Sequence, residues 1–157
     1  MNLTPEALAD RVAMLRKIPV FSQGDEEDLK HVASVAPEKR FAKGDVLIQE
    51  GAVGSDVFLM ISGRCEVRRR VGKRDKVLAT LEPGQFFGEM AVLSPDPRTA
   101  TVGAVDDVRV LVLSAWEFQM ALQDNAALAA QIAKGLAQRL RDAEEEIVEL
   151  RQRLDRG

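Results

Sequence analysis

The chain has 157 residues, a formal net charge of −3 and a single cysteine. That length suits one domain with a core large enough to fold alone, the charge gives no general drive toward nucleic acid or anionic membrane, and one cysteine excludes an intrachain disulfide and fits a reducing cytoplasm. The longest purely apolar run, Val57 to Ile61, is far too short to span a bilayer, and the N-terminus, with Glu6 and Asp10, lacks a signal-peptide pattern.

Thr4-Pro5-Glu6-Ala7 reads as an N-cap followed by Pro at the first helical position. Leu8, Val12 and Leu15 then recur at helical spacing. Pro19 pushes Ile18 toward extended geometry and ends that helix. A second short helix is expected from Ser22 to Ala36, with Leu29, Val32 and Val35 apolar. His31, the only histidine, lies in it and reads as a helix-surface residue.

From residue 38 to 113 the pattern is β. Short apolar runs at Val46–Ile48, Val57–Ile61, Val77–Leu81, Thr101–Val102 and Val108–Leu113 are punctuated by glycines at 44, 51, 54, 63, 72 and 84. Many short strands with glycine turns predict a barrel or jelly roll. Cys65 falls on a strand and reads as a small buried side chain. Arg68 to Lys76 forms a basic hairpin around Gly72. Charged side chains on an exposed hairpin discourage edge pairing, and no aromatic residues interleave to stack bases. No nucleic acid partner is therefore expected from it.

Residues 114–157 return to helix. Ser114 to Leu122 is the first, with Trp116 and Phe118 as packing anchors, and Asp124 or Asn125 can cap the second. The second runs to about Leu154 and carries heptads over residues 136–154, with Leu140, Ile147 and Leu154 at a and Leu136, Ala143 and Leu150 at d. In a parallel pair Arg139 would face the partner's Glu144, and Glu146 the partner's Arg151, both opposite in sign. Gly135 weakens the helix by about 1 kcal/mol relative to Ala. The other reading of the heptads is a seam packed on the chain's own barrel.

The richest segment is Phe86-Phe87-Gly88-Glu89-Met90-Ala91-Val92-Leu93-Ser94-Pro95-Asp96-Pro97-Arg98-Thr99-Ala100-Thr101-Val102. Gly88 lets a ligand or backbone approach closely. Glu89 is an acceptor suited to a sugar hydroxyl. Met90 to Leu93 has the length of one helical turn, whose first N–H groups favour an anion. Arg98 offers a planar fork of donors that matches a phosphate. This segment resembles the phosphate-binding cassette of the cyclic nucleotide-binding domain family, which reads F-G-E-(L/M)-A, a short loop, then P-R-(S/T/A)-A-(T/S)-V. The N-terminal helix, the aliphatic-Pro-aliphatic-Phe turn and the turn glycines fit the same family, so the resemblance covers essentially the whole chain.

The resemblance implies a single α+β domain over 1–157: an N-terminal helical segment (1–37), a β-roll (38–113) with a short phosphate-cassette helix, and two C-terminal helices (114–157). It implies a cyclic mononucleotide, cAMP or cGMP, held by Gly88, Glu89, Met90, Ala91, Arg98, Thr99 and Ala100. Glu89 would take the ribose 2′-hydroxyl and Arg98 an exocyclic phosphate oxygen. The Thr99 hydroxyl, where kinase-type cAMP sites carry alanine, could bond phosphate or guanine. Val67 and Ala79, with Gln131, Lys134 or Gln138 of the closing helix, are the candidate base contacts. The expected function is a non-enzymatic, cytoplasmic sensor that couples ligand to its C-terminal helices, as a homodimer or with an effector protein. No metal, cofactor or membrane partner is expected, since a single histidine cannot build the multi-histidine metal site of cupin-type jelly rolls. The alternatives are part of a catabolite-activator-type transcription regulator without its DNA-reading domain, only Arg156 and Gly157 following the last helix, and a scaffold barrel that no longer binds nucleotide.

Overall fold

The computed structural model of the chain describes residues 3–88 and 98–156. Two strands, β3 (Val57–Ser62) and β8 (Val108–Leu113), carry apolar side chains on both faces and so set the layering. Successive strand residues point to opposite faces. Phe58, Met60, Val108, Val110 and Val112 enter one core, and Val57, Leu59, Leu111 and Leu113 enter another. β3 and β8 pair antiparallel between β1 (Glu38–Phe41) and β6 (Phe86–Phe87), in the order β1-β8-β3-β6. The second antiparallel sheet comprises β2 (Val46–Ile48), β7 (Thr101–Ala104), β4 (Cys65–Val71) and β5 (Arg74–Leu81), in the order β2-β7-β4-β5.

The first core lies between the sheets, where Ile48, Cys65, Leu81, Val102 and Ala104 meet the inward residues of β3 and β8. The second lies between the outer face of the β3–β8 sheet and the helices: α1 (Pro5–Arg16), a 3-10 turn (Pro19–Phe21), α2 (Glu26–Val35), α3 (Ala115–Asp124) and α4 (Ala126–Arg156). Leu15, Leu29, Phe118, Leu128 and Ile132 fill it. Full burial of one such side chain stabilises by about 1.5–3 kcal/mol.

The expected β-roll with flanking helices is therefore present, with one correction. Among the described residues the strands do not close into a barrel: the sheets meet through side chains and each keeps two edge strands, β5 among them. The short cassette helix expected within residues 89–97 lies outside the described residues.

Local chemistry explains the element ends. Thr4 Oγ1 accepts from the Ala7 amide at 3.1 Å, with Pro5 next to it, as the sequence implied. α2 begins at Glu26 rather than Ser22, because Asp25 is its cap, accepting from the Glu27 amide at 2.8 Å. Residues 22–24 remain in a turn whose Ser22 and Gly24 carbonyls accept from Arg16 Nη1 at 3.4 and 3.2 Å. Asn125, not Asp124, caps α4 by accepting from the Leu128 amide at 3.0 Å.

Trp116 is a second correction. It is 66% exposed, whereas Phe118 is buried. Residues two apart on a helix face away from each other, so only one of the pair can reach the core. His31 is exposed as expected, with Nε2 3.9 Å from a Glu117 carboxylate oxygen.

Candidate functional site

The pairing of β6 with β3 places the start of the candidate site. Phe87 lies opposite Phe58 and their rings stack at 5.1 Å between centroids. This brings Gly88 against Asp56, the residue before β3. Gly88 has φ of +96°, and a Cβ there would lie 2.4 Å from the Asp56 carbonyl oxygen. Only glycine satisfies both the left-handed backbone and that approach.

The chain re-enters the described structure at Arg98, which the β2–β3 connection grips. The Gly51 amide donates to the Arg98 carbonyl at 2.8 Å, and the Arg98 amide donates to the Ala52 carbonyl at 2.9 Å. The guanidinium is held as well: Nη1 donates to the Gly88 carbonyl at 3.0 Å and Nη2 to the Asp56 carbonyl at 2.9 Å. A contact at each Nη sets the plane of the fork, and a preset fork loses less freedom when it meets an oxyanion. Gly54 leaves room beside it, since a Cβ there would sit 3.6 Å from Arg98 Nε. Thr99 is exposed and Ala100 half-buried as the chain bends into β7.

Of the expected ligand-binding residues, the structure thus brings Gly88 and Arg98 into direct contact, with Thr99 and Ala100 following in the chain. Glu89, Met90 and Ala91 lie outside the described residues. The expected base-contacting residues fall into two places. Val67 and Ala79 are opposite each other on β4 and β5, and Val67 also faces Val102 on β7. They share the sheet that Arg98 leads into. Gln131, Lys134 and Gln138 are exposed on α4, on the helical side of the other sheet. Gln131 lines a cleft of about 230 Å³ with Pro19, Gln85, Phe86 and Arg139, and Gln138 donates to Asp142 at 3.0 Å. The structure does not bring these three to Val67 and Ala79.

Sequence reasoning missed the carbonyls of Asp56 and Ala52 and the loop that carries them. Every residue supplies a carbonyl, so no side-chain pattern marks the one that aims an arginine. The nearest signal is the pair Gly51 and Gly54 close before β3.

Cys65 is buried, and burial together with the nearby Asp106 carboxylate pushes its thiol up to about 11. It stays protonated near neutral pH and is a packing residue. Among the described residues no group of three or more His, Cys, Asp and Glu side chains is placed to hold a metal ion, and no helix is long and apolar enough to cross a membrane.

Comparison with known proteins agrees with this geometry. The family described as the cyclic nucleotide-binding domain matches residues 38–125, more than half of the chain. The chain belongs to that family. It is 29% identical over 130 residues to the cyclic AMP receptor protein of Thermus thermophilus, covering 82% of this chain and 60% of that protein. It is 31% identical over 103 residues to a cAMP-dependent protein kinase regulatory subunit of Mycosarcoma maydis, covering 64% of this chain and 20% of that one. The solved structure of the Thermus thermophilus catabolite activator protein superposes with a TM-score of 0.77 at 29% identity, over 84% of this chain and 62% of that one. The chain thus spans 20% to 60% of the length of these curated relatives.

Proposed function

We propose that the chain is a non-enzymatic sensor of a cyclic mononucleotide, cAMP or cGMP, that binds the cyclic phosphate through Arg98 and passes the occupied state to α4. The observation that carries this is the Arg98 fork, aimed by the Gly88 and Asp56 carbonyls at the point where the family's phosphate cassette begins. The names of the relatives, a cyclic AMP receptor protein and a cAMP-dependent kinase subunit, favour cAMP. The Thr99 hydroxyl gives cGMP a bond of its own to make. Half-buried Val67 and exposed Ala79, opposite each other on β4 and β5, supply apolar surface on the same sheet for a base. α4 residues Gln131, Lys134 and Gln138 would meet the base only after that helix moves.

In this reading Glu89 accepts from the ribose 2′-hydroxyl. A 2′-deoxy cyclic nucleotide leaves that carboxylate without its donor, and an unsatisfied charged group costs more than a neutral one. Fluorescence competition is expected to show the deoxy analogue binding wild type at least about tenfold more weakly than the ribo form, a gap of 1.4 kcal/mol. In Glu89→Gln the gap should shrink to about twofold. Equal affinities in wild type would make Glu89 a structural residue.

The output half of the proposal rests on α4. Its first turns are buried through Leu128 and Ile132, but farther on Leu140, Ile147, Leu150 and Leu154 are 49% to 79% exposed. They follow the heptad, and a partner helix is the simplest way to cover them. A homodimer through α4 is therefore part of the proposal. Ligand shifts α4 only by its differential affinity for two helix positions, so the coupling is expected to be about 1–3 kcal/mol.

A further inference from the structure

The connection that aims Arg98 is not held by packing. Residues 51–56 are all exposed, and Val53 is 94% exposed. Its anchors are polar, and Glu50 supplies two of them. The Glu50 amide donates to Thr101 Oγ1 at 2.9 Å, and its carboxylate Oε2 accepts from the Arg70 amide at 3.1 Å.

The second bond stands in for a strand. β4 pairs with β7 as far as Arg68 opposite Thr101. Beyond that point the β7 chain leaves the ladder through Ala100, Thr99 and Arg98. The Arg70 amide, two residues on, meets the Glu50 carboxylate where the next ladder carbonyl would have been. A backbone amide so satisfied fixes both partners. One side chain therefore ties the end of the β4–β7 ladder to the segment whose Gly51, Ala52 and Asp56 hold Arg98 by backbone and by fork.

We propose that Glu50 is a positioning residue for Arg98. It does not touch the ligand; it holds still the exposed connection that aims the guanidinium. The effect on nucleotide affinity rests on the reading that Arg98 binds the cyclic phosphate. The effect on Arg98 itself does not. Because the connection buries almost nothing, loss of the tether should cost aim rather than fold stability.

The test has two arms on the full chain. Without ligand, amide hydrogen exchange at Gly51 and Arg98 is expected to quicken about tenfold or more in Glu50→Ala while the melting temperature stays near wild type. Glu50→Gln keeps an acceptor oxygen and should remain within about threefold of wild type. With cAMP or cGMP, Glu50→Ala is expected to weaken binding about five- to tenfold, and by less than about twofold in an Arg98→Lys background, where the fork is already gone. Unchanged exchange at Gly51 and Arg98 in Glu50→Ala would overturn the proposal. So would a loss of affinity that adds in full to that of Arg98→Lys, because a merely structural role would show that additivity. Wild type that binds neither nucleotide would instead remove the proposed function, and the exchange arm would still decide whether Glu50 fixes Arg98.

Discussion

Arg98→Ala is expected to weaken cyclic nucleotide binding by about 2–4 kcal/mol, the scale seen when one partner of a hydrogen-bonded charge pair is truncated at a binding site. The guanidinium is half-buried and its plane is fixed by carbonyls at 3.0 and 2.9 Å. A phosphate meeting it finds a bidentate, charge-assisted partner already oriented. Alanine removes that partner and leaves the Gly88 and Asp56 carbonyls facing the gap. Arg98→Lys should recover only part of the loss, because an ammonium is a point charge without the fork. The measurement is a calorimetric titration of the three proteins with the same cyclic nucleotide, with thermal melts to confirm that each is folded. Affinity unchanged in Arg98→Ala would remove the assignment of Arg98 to the phosphate.

The second large effect is expected at the other end of the chain. Ile147→Asp with Leu150→Asp should convert a dimer to a monomer that still binds nucleotide. The two side chains are half-exposed in the single chain, at 50% and 49%. Burying the remainder against a partner therefore contributes only part of the roughly 1.5–3 kcal/mol that full burial of each would give. Placing two carboxylates in an apolar seam costs more than that lost burial. Together they are expected to raise the dimer dissociation constant at least about a hundredfold, or about 2.8 kcal/mol at 1.4 per decade. Light scattering at micromolar protein, with and without nucleotide, reads this out. Wild type that runs as a monomer in both states would leave the heptad as a seam that pairs with nothing in solution.

The layers of this fold were legible because burial writes a period into the sequence. β3 and β8 are continuous apolar runs since both their faces are covered, whereas the far part of the β4–β5 hairpin reads as charged because residues 68–80 are exposed on both faces. Gly88 was legible as a close approach and proved to be one, at 2.4 Å for an imagined Cβ. Arg98 was legible as a candidate anion ligand from its neighbours in sequence, and the structure adds the two carbonyls that orient its guanidinium. Two kinds of information were not legible. Backbone carbonyls leave no side-chain signature, so Asp56 could not be assigned a part. Helical phase over a short element is ambiguous as well: Trp116 and Phe118 look equivalent in sequence, and only the packing of α3 decides which is buried. The same ambiguity holds on α4, whose Gln131, Lys134 and Gln138 were expected to meet the base as the final helix closes over it and instead lie on the helical side of the β3–β8 sheet, away from Val67.

The central claim is that this chain binds a cyclic mononucleotide. Isothermal titration of the purified chain with cAMP and, separately, with cGMP tests it most directly. The expected result is a saturable heat with one ligand per chain for at least one of the two, and a rise in melting temperature that follows the same concentration dependence. No heat and no thermal shift with either nucleotide up to about 1 mM, a binding free energy weaker than about −4.1 kcal/mol, would contradict it.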